Sequence, residues 1–213
     1  MSQRDKTSSC DLLAKPIIQQ ILVRLKEGLN PDLVYHSYEH TLEVVKTAIS
    51  LAEAEQLSAK EMELLAVAAA YHDSGFLNHQ EDNEPIGAEF AEQAMRAHGY
   101  SSQEIAIVKH AILDTGLLEI NGKLLRNSST PISPCLLDAD TANLGTDKFF
   151  WSIDALVSEG NLSLAEVRLR ALQFLTDHVW FTAEAKKLYD SKKQENLRRL
   201  RKLIQSDAAE SRK

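Results

Sequence analysis

Residues 58–76 read SAKEMELLAVAAAYHDSGF, and this stretch decides the fold. Ser58 and Glu61 have the spacing of a capping box, in which each side chain satisfies a backbone N–H at a helix start. Leu64 to Tyr71 is the longest apolar run of the chain. It falls far short of the ~20 residues that cross a bilayer, so it reads as a core helix. Leu65, Ala68, Ala69 and His72 recur at helical spacing, which points His72 along an apolar face toward the interior. Asp73 follows at once, near the helix C-terminus.

Similar signals extend in both directions. Pro16 suits the first turn of a helix running to about Gly28. Ser37 or Tyr38 begins a helix through Glu55, and Glu84 to His98 is another, closed by Gly99. Ser101 with Glu104, and Ser163 with Glu166, form further capping boxes. Ser133 caps a helix through Leu144 with Gly145 as its stop. Thr146 caps the next, which ends at Gly160, and Thr182 opens a long last helix. Alternating strand patterns are nearly absent. LEINGKLL (118–125) is the best hairpin candidate because Asn121-Gly122 is a turn pair, and it reads as a short loop excursion. The expected fold is all-α, a single compact helical bundle. Residues 1–15 read as a flexible N-terminus and 16–181 as the domain. Residues 182–213 read as a basic helix packing on the domain or extending from it.

The 213 residues are 44% hydrophobic and 26% charged, which are globular values. The net charge of −7 divides into −12 for residues 1–181 and +5 for 182–213. An acid excess argues against a nucleic-acid polymer or an anionic membrane as partner. A small phosphorylated substrate stays open, because a local cation can supply positive charge. The basic helix reads as a solvated face or as an interaction arm, with a homo-oligomer as one use. Two cysteines, Cys10 and Cys135, are too few for a disulfide framework, and the N-terminus has no apolar core of signal-peptide length. The expected location is cytoplasmic.

Seven histidines are the informative residues. In YHSYEHTLEVV (35–45), His36 and His40 are four apart and would stack on one helix face. A carboxylate at Asp73 is disfavoured by the helix dipole and by burial, and a cation beside it removes both objections. LLDADTANLG (136–145) places Asp138 and Asp140 inside another apolar helix. Each residue has a plain structural reading as well; Asp73 could cap the next turn, and Asp138 could accept hydrogen bonds from a neighbouring loop. A metal explains three helices that all direct His or Asp inward.

The ordered series His40, His72-Asp73 and Asp140 resembles the H…HD…D signature of the HD superfamily of metal-dependent phosphohydrolases, over roughly residues 30–180. AAAYHDSGF is similar to the usual context of the HD doublet, and YHSYEHTLEVV to a segment of HD proteins that resemble cyclic-nucleotide phosphodiesterases. LLDADTANLG is similar to the element carrying the family's last Asp. The resemblance implies one divalent transition metal (Mn, Fe, Co, Ni or Zn) held by His40, His72, Asp73 and Asp140, with Asp138 as the alternative last ligand. It also implies His36 as general acid, although Ser37 stands where that segment has Asn. Asp73 could orient the nucleophilic water as well as bind the ion. Phe76 stands where the cyclic-di-GMP branch has Lys, and no GYP follows. His79 and His110 are further candidates, for a second metal or for substrate.

The implied activity is hydrolysis of a phosphomonoester or phosphodiester, with a nucleotide as the expected partner, by a metal-activated water. The alternatives are a non-catalytic nucleotide-binding module and a diiron oxygenase. Lys109, Lys123, Arg126 and Lys148 could each meet a phosphate, and Tyr35, Tyr38 and Phe76 lie near the motif.

Overall fold

A computed structural model describes residues 9–78, 82–160 and 162–210. Ten α-helices, two short 3₁₀ turns and one two-stranded hairpin are found among these residues, the all-α class that the pattern predicts. The helix of the opening stretch, α4 (Ala59–Tyr71), is the axis of the molecule. Every residue from Leu64 to Tyr71 is buried. A helix apolar on all sides has to be packed on all sides. α2 (Pro16–Gly28), α3 (Tyr38–Ala54), α5 (Asn83–Ala97), α6 (Ser102–Leu113) and α7 (Ser133–Asp140) all pack against it. The capping boxes at Ser58, Ser101 and Ser163 all form. α8 (Phe149–Glu159), α9 (Leu164–Asp177) and the far half of α10 (Ala183–Glu210) enclose a second apolar cluster around Phe149, Val167 and Leu200. No described helix is long and apolar enough to cross a membrane.

Four local readings change. Of residues 1–15, read as a flexible N-terminus, 1–8 lie outside the described residues and 9–13 are helical. Ser9–Leu13 forms α1, and Leu12 is fully buried in the main core. The helix from Ser133 stops at Asp140 rather than Leu144, and a 3₁₀ turn spans Ala142–Gly145. Thr141 Oγ1 donates to Leu137 O at 2.7 Å, a back-bond that competes with helix continuation. α10 crosses directly over this turn, and a Cβ on Gly145 would lie 2.4 Å from Tyr189. α8 begins at Phe149, not at Thr146.

The fourth change concerns 118–125. Leu118–Ile120 (β1) and Lys123–Leu125 (β2) pair antiparallel. Asn121 and Gly122 have φ of 53° and 73°, the left-handed pair of a type I′ turn. Gln173 Nε2 donates to Gly122 O at 3.0 Å and Leu124 N to Asp177 Oδ2 at 3.0 Å, so the hairpin is fastened to α9. It is a wall of the molecule rather than an excursion. α10 packs on the domain, where Asn196 Nδ2 donates to Leu144 O and Thr146 O at 3.0 and 2.9 Å.

Candidate metal centre and pocket

His40 lies in the first turn of α3, whose N-cap Ser37 accepts the His40 N–H at 3.3 Å. His72 is the C-cap of α4, and Asp73 begins the next 3₁₀ turn, Ser74–Leu77. Asp140 is the last residue of α7. These three helix ends meet. His72 Nε2 is 3.1 Å from Asp73 Oδ2 and 3.5 Å from Asp140 Oδ1. His40 Nε2 is 3.4 and 3.3 Å from the same two oxygens. Ligand atoms at ~2.1 Å from one ion are separated by about 3.0 Å in an octahedron and 3.4 Å in a tetrahedron, so this spacing suits a single ion.

Hydrogen bonding points the same way. His40 Nε2, His72 Nε2 and Asp73 Oδ2 are buried with no hydrogen-bond partner. Orphaned buried polar atoms are costly, and three converging on one point fit a cation. His72 and Asp73 are tied down through their other polar atoms. His72 Nδ1 donates to Ala69 O at 2.7 Å, leaving Nε2 as the lone-pair nitrogen. Asn83 Nδ2 donates to Asp73 Oδ1 at 3.1 Å. Burial opposes charge on His72, yet Asp73 and Asp140 outweigh it and raise its pKa well above the ordinary value. Burial opposes charge on Asp140 too, but Arg126 and the imidazoles hold its carboxyl well below the usual range. The site favours positive charge between its carboxylates.

Gly75 supports this arrangement. A Cβ there would stand 2.1 Å from Asn83 O, inside the backbone of the residue that holds Asp73. Gly75→Ala is expected to cost about 3 kcal/mol and to weaken metal retention. Urea unfolding and metal analysis of the dialysed variant check both.

The other expected residues separate clearly. Asp138 does not join the cluster. Its oxygens accept from Phe181 N at 2.9 Å, Thr182 N at 2.8 Å and Thr182 Oγ1 at 2.7 Å. It anchors the start of α10, the structural role that its sequence also allowed. His110 is exposed on α6 and lines neither the cluster nor the cavity beside it. His79 lies outside the described residues. Lys109 pairs with Glu92 and Lys148 with Glu43, whereas Arg126 reaches Asp140 Oδ2 at 2.7 Å.

His36 precedes the α3 N-cap, so it does not stack above His40 on a helix face. The two rings are 6.4 Å apart at 84°. Its partner is Glu159, at the end of α8. His36 Nδ1 donates to Glu159 Oε2 at 2.7 Å, and the backbone N–H groups of Tyr35 and His36 both donate to Glu159 Oε1. Phe76 stacks on the other side of the ring, centroids 4.2 Å apart. Burial lowers the His36 pKa, but the Glu159 hydrogen bond and the charges of Asp73, Glu159 and Asp140 more than reverse this. Glu159 carries no local sequence signal. It is one of many helix-end carboxylates, and its partner lies 123 positions away.

His36, Asp73, Arg126 and Asp140 open into a cavity of about 760 Å³, whose farther walls come from the hairpin, α8 and α9. Its size is that of a small-molecule site.

Three comparisons bear on this geometry. The HD domain family model matches residues 37–140. A crystal structure of a Lactobacillus plantarum protein, a Northeast Structural Genomics target, superposes with a TM-score of 0.63 at 14% identity, covering 93% of this chain and 98% of that one. That likeness shows the fold. No curated protein matches the sequence.

Proposed function

From the premise that this chain carries an HD domain over residues 37–140, we propose that it is a metal-dependent phosphohydrolase acting on a phosphomonoester or phosphodiester, with a nucleotide as the substrate that the family resemblance favours. The observation that carries this is the set of orphaned donor atoms on His40, His72 and Asp73, closed by Asp140.

Two imidazoles and two carboxylates are a mixed N and O set, which suits Mn, Fe, Co, Ni or Zn better than Mg or Ca. When bound, such an ion lowers the pKa of a water and neutralises the phosphoryl oxygens it touches. The remaining work belongs to the chain. Asp73, fixed through Oδ1 by Asn83, orients the attacking water. His36 protonates the leaving oxygen from Nε2, because Nδ1 is committed to Glu159. Arg126 contributes a guanidinium at the mouth of the donor set. The test is phosphate release from a nucleotide panel with Mn, Co or Ni added. Activity that survives in both His72→Ala and Asp73→Ala would sink the mechanism.

Glu159 tunes the acid. A general acid must be protonated, so the rate falls as pH rises through the His36 pKa. Glu159 holds that pKa up, and Glu159→Gln removes the charge. The alkaline limb of the pH–rate profile is expected to move about one unit toward lower pH, the size of a charged hydrogen bond. An unmoved limb would separate His36 from the acid role.

A further inference from the structure

The cavity is one continuous space with two unlike ends. His36, Asp73, Asp140 and Arg126 stand at the donor set; Phe149, Ile153, Leu156, Val167 and Ala171 on α8 and α9 form an apolar wall, interrupted by Ser152, Arg170 and Gln173. An ester whose phosphoryl group sits at the donor set must place its organic part against that apolar wall. The charges restrict the phosphate count. Besides His36, the basic side chains lining the described cavity are Arg126 and Arg170, and outside the donor set they face the carboxylates of Glu84 and Glu119. Two guanidiniums against two carboxylates leave no net positive charge to hold a chain of phosphates.

Arg126 is the remaining clue. Its Nε and Nη1 are buried without a hydrogen-bond partner, although Nη1 lies 2.7 Å from Asp140 Oδ2. That contact is an ion pair lacking hydrogen-bond alignment, so donors remain unspent beside the site. A guanidinium with free N–H groups is suited to phosphoryl oxygens. The guanidinium lies over the Phe174 ring, its Cζ 5.7 Å from the ring centroid. The loop that follows is clamped by Asp114, which accepts from Asn127, Ser129 and Ser133.

We propose that the substrate is an ester with a single phosphoryl group on an apolar body, the body filling the chamber between α8 and α9 and Arg126 holding a phosphoryl oxygen. This rests on the hydrolase reading above and names its substrate class. In the reaction a water oxygen forms the new P–O bond and the ester P–O bond breaks. The alcohol leaves with the proton from His36, and inorganic phosphate remains.

The test uses the full chain with Mn and compares propyl phosphate, hexyl phosphate and ATP. The two alkyl esters have chemically alike leaving groups and differ only in length. Three more buried methylenes should raise kcat/KM about 50-fold, and ATP should fall below hexyl phosphate. Ala171→Phe fills the chamber and should remove the hexyl advantage over the propyl ester; Leu156→Gln serves if that variant does not fold. Arg126→Gln should weaken both alkyl esters alike. Equal kcat/KM for the two esters, or a preference for ATP, would overturn the proposal. If no ester is cleaved with any metal, the hydrolase reading fails instead. Calorimetric binding then decides the chamber: hexyl phosphate binding about 50-fold tighter than propyl supports it, and equal binding overturns it.

Discussion

Asp140→Asn should leave a folded protein whose phosphate release falls at least ~10³-fold, because it removes charge where charge is concentrated. Asp140 Oδ1 lies 3.3 Å from His40 Nε2 and 3.5 Å from His72 Nε2, while Oδ2 faces the Arg126 guanidinium at 2.7 Å. Asn keeps the shape and one oxygen. It leaves a single carboxylate to balance a divalent ion, and it releases Arg126 from its partner. Metal content after dialysis should drop with the activity, and the circular dichroism spectrum should not change. Full activity with full metal content would remove Asp140 from the donor set.

Asp138→Ala should do the opposite. Its side chain is fully buried, and it accepts from Phe181 N, Thr182 N and Thr182 Oγ1. Removing the carboxylate strands three donors at the start of α10. A stability loss of about 3–5 kcal/mol is expected, from desolvated donors and a loosened helix. Urea unfolding measures it. The fraction that remains folded should still retain metal. Two aspartates two positions apart thus separate by readout, one in chemistry and one in stability.

The two cannot be separated by pattern. Both lie in the apolar stretch LLDADTANLG, and local spacing does not say which carboxylate meets the histidines. Residues two apart on a helix point in nearly opposite directions. The packing of α7 between α3 and the 178–182 segment turns Asp140 toward His40 and Asp138 toward Thr182. The hairpin shows a related limit. Asn121-Gly122 marked the turn, but nothing local revealed that Asp177 and Gln173 fasten it to α9 and make it a cavity wall. His36 does not share a helix face with His40 because it precedes Ser37, the N-cap of α3.

The sequence by itself determined the all-α class and most helix boundaries, and it marked His40, His72, Asp73 and the pair Asp138 and Asp140 as candidates. Capping boxes, glycine stops and apolar periodicity act within a few residues, so they can be read along the chain. Only the tertiary structure decided the partners that come from afar: Glu159 on His36, Arg126 on Asp140, and the apolar chamber behind them. These pairings arise where helix ends from distant parts of the chain converge, and no local propensity encodes which ends will meet.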